Sequence, residues 1–191
     1  MRSAYLVLDM INDLAHEAGA FGKSPVAQQV QSRQVVARTV ELIAKARLAK
    51  VPVGFVRIGF SPDYKEAPPY SPIFSPAREK GFFNATNWGG QFHDLLQPQE
   101  GDFQIIKHRV SPFHATSLHL VLRQLGVSKV YLSGVSTNGV VASAVKDAHD
   151  HDYLPHVFED ACAAANMENH DAAMLISSRY AEVLSSRSFE F

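Results

Sequence analysis

Residues 129–151, KVYLSGVSTNGVVASAVKDAHDH, contain a strand candidate, a glycine-flanked turn and a helix candidate in direct succession. The strand covers residues 129–133, and Gly134 and Gly139 flank the turn. The helix covers residues 137–151 and carries small residues along its length. A short apolar strand that leads at once into a helix is typical of the repeating unit of a parallel sheet.

The same alternation of strand and helix extends along the whole chain. Strands are predicted at residues 4–8, 53–58, 102–107, 129–133, 154–158 and 181–184, and further helices at 26–50, 117–125 and 168–179. Residues 59–87, which we call the excursion, carry prolines at 62, 68, 69, 72 and 76 and predict a long surface segment without a long regular element. Near-continuous apolar strands joined by helices predict an α/β fold, with helices on both faces of a parallel sheet.

Composition bounds the class of protein. The 191 residues fit one domain over 1–191, and 46% hydrophobic residues with 19% charged ones indicate a folded globular chain. A net charge of −1 argues against nucleic acid as a partner. No apolar run is long enough for a membrane span or a signal-peptide core, and a single cysteine, Cys162, argues against a disulfide framework. We expect a compact cytoplasmic protein.

Polar residues follow several of the predicted strands. In an open α/β sheet, ligands bind beyond the carboxyl ends of the strands. Asp9 follows the first strand, Arg57 lies near the end of the second, and Lys107 closes the third. A carboxyl group beside an ammonium group in a cleft can transfer protons or stabilise an anion. The alternative is a buried structural ion pair, and spacing does not distinguish the two.

The turn from Gly134 to Gly139 admits more than one interpretation. A phosphate-binding loop is excluded, because Val140 and Val141 stand where Lys and Ser or Thr are required. A nucleophile elbow would place Ser136 between two glycines, but Asn138 replaces the second one. The third interpretation is a helix cap whose free N–H groups are available to an anion.

Histidines, aromatic residues and the cysteine add weaker indications. The nine histidines form no His-Glu-x-x-His pattern, and no Asp-x-His pattern follows the second strand, so we expect no metal ion. Trp88, with phenylalanines 82, 83 and 92, is a candidate lining for a planar substrate or, alternatively, packing for a core or an interface. Cys162 is interpreted as a small buried hydrophobe.

Five segments form a characteristic set: 6-LVLDMIND-13, 106-IKHRVSPF-113, 118–127, 132-LSGVSTN-138 with Asp147 and Ala148, and 159-EDAC-162. Together, and over nearly the whole chain, they resemble the isochorismatase-like (cysteine hydrolase) superfamily. The resemblance implies a six-stranded parallel sheet and a site formed by Asp9, Lys107 and the turn. It also implies a cis peptide bond between Val135 and Ser136, which aims backbone N–H groups at a substrate oxygen.

The chain departs from its amidase relatives at the nucleophile. Members such as nicotinamidases carry a catalytic cysteine at the position of Val140, and their Asp-x-His metal site is also absent here. Isochorismatases lack that cysteine as well and hydrolyse a vinyl ether. By this resemblance Asp9 is the acid, Lys107 binds substrate or stabilises charge, Val140 narrows the pocket, and Arg57 holds a carboxylate or else braces the excursion.

These observations predict an isochorismatase-like hydrolase of a small metabolite that needs no cofactor. Two alternatives remain: an amide hydrolase with Ser136 as nucleophile, and a catalytically inactive binding or assembly protein. The aromatic, proline-rich excursion and the assemblies usual in the resembled family also predict a homo-oligomer, dimeric or larger.

Overall fold

The computed structural model describes all of residues 1–191 and confirms the α/β fold. Its sheet has six parallel strands: β1 Arg2–Leu8, β2 Val53–Ile58, β3 Phe103–Lys107, β4 Val127–Val135, β5 Leu154–Ala163 and β6 Glu182–Leu184. The strand order is β3-β2-β1-β4-β5-β6. β2 and β3 are therefore added on one side of β1, and β4, β5 and β6 on the other side. The direction of addition reverses between β1 and β4, which flank the topological switch point.

Seven helices complete the fold. They are α1 Asn12–Ala15, α2 Pro25–Ser32, α3 Val35–Leu48, α4 Ser75–Lys80, α5 Leu118–Gln124, α6 Ala142–Asp150 and α7 Met167–Ser177. A 3₁₀ helix covers Trp88–Gly90, and a π-helix covers Thr137–Val141. No helix has the length and apolar character required to cross a membrane.

Alternating side chains of the strands supply two separate cores. Tyr5 and Val7 of β1 pack with α2 and α3 on one face of the sheet. Leu6 and Leu8 pack with α5, α6 and α7 on the other face. Because successive side chains of a strand point to opposite faces, one apolar run serves both cores.

The structure corrects two predicted elements. The helix predicted over residues 26–50 is two helices, α2 and α3, separated at Gln34, whose φ is 56°. The helix predicted from residue 137 begins as a π-helix and becomes α-helical only from Ala142. The excursion contains only one short helix, α4, as its prolines predict.

Candidate active site

The site lies at the carboxyl ends of β1, β3 and β4. Asp9 directly follows β1, Lys107 ends β3, and Val135 ends β4. Since β1 and β4 are adjacent and flank the switch point, this edge of the sheet forms a crevice without any contribution from a second domain. The peptide bond between Val135 and Ser136 is cis, as the resemblance implies.

Asp9 and Lys107 form a buried ion pair. Lys107 Nζ lies 2.8 Å from Asp9 Oδ2, and the two side chains are only 2% and 7% exposed. The N–H of Ile58 donates to Asp9 Oδ1 at 2.6 Å, and Lys107 Nζ donates to the carbonyl of Arg109 at 3.0 Å. The carboxyl group is thus held at both oxygens.

The surroundings of the Asp9 carboxyl shift its pKa. Burial raises its pKa above the ordinary value, while the charge and hydrogen bond of Lys107 and the N–H of Ile58 oppose that rise. A buried carboxyl with a raised pKa can hold a proton closer to neutral pH than an exposed one.

Two unusual backbone conformations bring β1 and β4 together at the site. Asp9 has a φ of 53°, in the left-handed region, which turns its carboxyl out of the strand direction. Gly134 has a φ of 136°, and a Cβ there would lie 2.0 Å from the carbonyl oxygen of Leu8. Only glycine fits this close approach between the two strands.

Asp9 and Lys107 line a cavity of about 280 Å³. Val135, Ser136, Gly139 and Val140 form one wall, so the structure brings the predicted turn to the predicted pair. The remaining lining residues are all apolar: Leu14, Phe21, Val26, Ile58, Ile73, Phe74, Phe83 and Val110. Of these apolar residues, only Phe83 was predicted as a candidate lining residue. The others belong to segments whose position in the fold does not follow from the local sequence pattern.

The π-helix determines the positions of Ser136 and Val140 on the cavity wall. A Cβ at Gly139 would lie 2.6 Å from Ser136 Oγ, so glycine leaves room for that hydroxyl. Thr137 Oγ1 lies 2.9 Å from His170 Nδ1, a buried contact that anchors the π-helix to α7. His170 was not predicted as part of the site, because nothing in its spacing connects it to the turn.

Arg57 does not reach the cavity. Its guanidinium donates to the carbonyl of Ala85, at 3.3 Å, and to the carbonyl of Gly90. The guanidinium carbon, Cζ, lies 5.4 Å from the centre of the Phe92 ring. The neighbouring Ile58 lines the cavity, and adjacent strand residues point in opposite directions. Arg57 therefore braces the end of the excursion, which was the second of its two predicted uses.

Trp88 also lies outside the cavity. Its ring stands edge-on to His16, with ring centres 5.0 Å apart, and its Nε1 donates to Asp94 at 3.3 Å. The indole is 45% exposed. The 3₁₀ helix that carries it follows the excursion to a different surface, so its assignment to the substrate site is corrected.

Cys162 is confirmed as a buried residue. It is fully enclosed, and burial raises the pKa of its thiol to about 12. Its side chain does not line the cavity. Because the thiolate is the reactive form, this cysteine is inert near neutral pH.

Residues 3–188 match the Isochorismatase domain, which is almost the full length of the chain. The chain belongs to the isochorismatase family. It is 37% identical over 138 residues to the uncharacterised isochorismatase family protein YecD of Escherichia coli O157:H7, covering 72% of this chain and 71% of YecD. It is 30% identical over 187 residues to the ureidoacrylate amidohydrolase RutB of Pseudomonas syringae pv. syringae, covering 92% and 76% respectively.

Solved structures agree with this assignment. N-carbamoylsarcosine amidase from Thermoplasma acidophilum superposes with a TM-score of 0.79 at 27% identity, over the whole of both chains. An isochorismatase family protein from Desulfovibrio vulgaris gives a TM-score of 0.85 over 96% of this chain and 94% of that one, at 24% identity, which supports the fold alone. The chain is therefore an isochorismatase-family hydrolase, as the resemblance predicts.

Proposed function

We propose that this member hydrolyses a small enol ether by acid catalysis, with Asp9 as the proton donor and without a covalent enzyme intermediate. The observation that supports this most directly is the composition of the cavity. Its only titratable side chains are the paired Asp9 and Lys107, and Val140 occupies the position at which the resembled amidases carry a cysteine.

No activated nucleophile lines the cavity. Val140 has no nucleophilic atom, and Cys162 lies outside the wall. Ser136 does line it, but its Oγ makes no hydrogen bond to a histidine, carboxylate or amine. A serine hydroxyl without an adjacent base is a weak nucleophile. Hydrolysis by direct addition of water therefore suits this site better than acyl transfer.

Enol ether hydrolysis requires only proton transfers and water. Asp9 donates its proton to the terminal vinyl carbon, and the double-bond electrons form the new C–H bond, leaving an oxocarbenium ion. Water adds to that ion and returns a proton to the Asp9 carboxylate. The resulting hemiketal separates into an alcohol and a carbonyl compound, so one water is consumed and the acid is restored.

Lys107 has two tasks in this scheme. Its ammonium group fixes the orientation of the Asp9 carboxyl through the 2.8 Å contact, and it stabilises the carboxylate that forms when the proton leaves. Because both groups are buried, this stabilisation is stronger than the same contact would be in water. The Ile58 N–H assists at the other oxygen.

A panel of enol ethers, with and without a carboxylate, and of small amides tests the proposal directly. Carbonyl product and ammonia are both measured for the wild type, Asp9→Asn and Glu41→Gln. Loss of a general acid typically costs 10²–10⁴-fold. We expect carbonyl release to fall by about that factor in Asp9→Asn and to stay unchanged in Glu41→Gln, an exposed carboxylate-to-amide control.

The other outcomes support specific alternatives. Ammonia release that survives Asp9→Asn but disappears in Ser136→Ala would replace the enol ether mechanism with serine-dependent amide hydrolysis. No release from any compound, with a folded protein, would favour a binding or assembly role on the same fold.

The dependence of the enol ether rate on pH provides a second check. The reactive form has a protonated Asp9, so the rate falls as the pH rises through the pKa of that carboxyl. Because burial raises this pKa, the decline is expected at a higher pH than an exposed aspartate would give. A rate that rises with pH over the same range would instead indicate a base-dependent reaction.

We also infer that copies of the chain associate. The excursion leaves Tyr70 96% exposed, although it is a large, mostly apolar side chain. Light scattering after size-exclusion chromatography tests this inference. A mass near 21.0 kDa at micromolar concentration, the mass of one chain, would reject it.

A further inference from the structure

The side chains that line the cavity offer a charged ligand almost no neutralising group. Ten of its 14 lining residues are hydrophobic. Its one cation, Lys107, already contacts Asp9 at 2.8 Å and the carbonyl of Arg109 at 3.0 Å. An ammonium group has three N–H donors, so two of them are used within the protein.

The arginines nearest in sequence to the site residues are also occupied. Arg78 donates to the carbonyls of Asp63, at 3.2 Å, and Tyr64, at 3.1 Å. Arg109 donates to the carbonyl of Glu66 at 2.9 Å. With Arg57 held by the end of the excursion, all three guanidinium groups support the backbone of that segment or its surroundings, and none lines the cavity.

An anionic substrate would therefore be poorly accommodated here. A carboxylate loses its hydration when it enters apolar surroundings, and the loss is unfavourable unless a cation or several donors replace the water. A site built for a dicarboxylate normally offers guanidinium groups, whose paired N–H donors match carboxylate geometry. This cavity presents instead the side chains of leucine, valine, isoleucine and phenylalanine.

The size and aromatic content of the cavity restrict the ligand further. A volume of about 280 Å³ lies at the low end of the range of about 300–1,000 Å³ that is usual for ligand pockets, so the cavity suits a small ligand. Phe21 and Phe83 line it and stack nearly parallel, with ring centres 5.5 Å apart and an angle of 9°. Such a pair offers an apolar surface to a further ring.

We propose that the substrate is a small, uncharged, aromatic or cyclic apolar compound built on a single ring, with its single polar function at Asp9 and Lys107. The reaction assigned to this compound rests on the proposed function, whereas the ligand class rests on the cavity alone. The two are therefore tested separately.

Turnover is tested with phenyl vinyl ether and 2-phenoxyacrylate. The two compounds share the phenol leaving group and differ by one carboxylate, so a single phenol assay compares them. We expect kcat/KM for phenyl vinyl ether to exceed that for 2-phenoxyacrylate by at least tenfold. A preference for 2-phenoxyacrylate would overturn the ligand class and leave the proposed reaction intact.

Binding is tested with benzamide and benzoate by isothermal titration calorimetry near pH 7. These compounds have the same shape and differ in charge, and neither needs to react. We expect benzamide to bind at least tenfold more tightly. Equal or tighter binding of benzoate, or no binding of either at millimolar concentration, would contradict the ligand class. Benzamide binding without phenol release would contradict only the proposed reaction.

A charge placed on the wall should reverse the preference. Ile73 lines the cavity and is 64% exposed, so a long polar side chain fits there without disturbing the core. We expect Ile73→Arg to strengthen benzoate binding at least fivefold relative to Ile73→Gln, its uncharged control. The same benzoate affinity in both variants would show that charge at the cavity does not govern selection.

Discussion

The cavity contains no thiol, because Val140 lines it and the one cysteine, Cys162, lies elsewhere. The reactivity of a thiol at each of these two positions can be tested. Val140 is only 3% exposed but lines the cavity, whereas Cys162 is fully buried away from it, and burial raises the pKa of its thiol to about 12. We expect the native wild type to resist iodoacetamide for hours near neutral pH. Val140→Cys should take up one label per chain under the same conditions, at a rate at least tenfold faster.

Intact-mass spectrometry of native and denatured samples measures this difference. Denatured wild type should take up one label at Cys162, which proves that the reagent is competent. Val140→Ser, which changes the side chain without adding a thiol, is the matched control. Rapid labelling of the native wild type would contradict the burial of Cys162.

Asp9 and Lys107 were predictable as a pair, because each stands at the end of a strand and parallel strands end at the same edge. The 2.8 Å contact between them could not be predicted, because no local sequence signal determines the order of the strands in the sheet. Arg57 was predicted at the same edge, but the direction of its side chain depends on strand alternation. The apolar wall was least predictable, because Ile73 and Phe74 belong to a segment without a regular period.

At the scale of elements, the break between α2 and α3 shows where sequence periodicity fails. The apolar spacing runs through residues 26–50 and predicts one helix. The structure interrupts it because Arg33 turns toward β5, where it donates to the carbonyls of Glu159, at 2.9 Å, and Cys162, at 3.1 Å. These partners are more than 120 residues away in the sequence, so the local pattern cannot predict the contacts.

The break predicts an unusual stabilising substitution. Gln34 has a φ of 56°, which costs free energy for a residue with a Cβ and little for glycine. We expect Gln34→Gly to raise the free energy of unfolding by about 0.5–1 kcal/mol. Gln28→Gly, within the exposed face of α2, should lower it by about 1 kcal/mol. Urea denaturation measures both, and a loss of stability in Gln34→Gly would show that the helix break is not maintained.

At the scale of the whole molecule, one buried cluster joins elements that are far apart in the sequence. His170 of α7 contacts Thr137 of the π-helix through Nδ1, and its Nε2 lies 3.2 Å from Arg33 Nη2. Because a guanidinium can only donate, Nε2 accepts and Nδ1 carries the proton that is donated to Thr137. In this tautomer the imidazole is neutral, in agreement with its lowered pKa, although Glu159 lies 3.4 Å from Nε2.

This neutral imidazole makes global stability depend on pH. Burial, and then the charge of Arg33, lowers the pKa of His170 below its ordinary 6.5, while Glu159 and Asp171 oppose the shift. Below pH 6.5 the unfolded chain takes up a proton that the folded chain does not, so the free energy of unfolding falls with falling pH. One such group contributes a slope of at most about 1.4 kcal/mol per pH unit.

Replacing His170 isolates that contribution. His170→Gln keeps a hydrogen-bonding side chain of similar length without a titrating group, so its unfolding free energy should depend less on pH than that of the wild type between pH 7 and 5. Gln28→Asn, at an exposed position of α2, removes no titrating group and should leave the dependence unchanged. Other shifted groups, including Asp9 and His93, remain in every variant and cancel in the comparison. Parallel pH profiles for wild type and His170→Gln would mean that the cluster accepts a proton without cost, and that the π-helix wall is not held by a neutral imidazole.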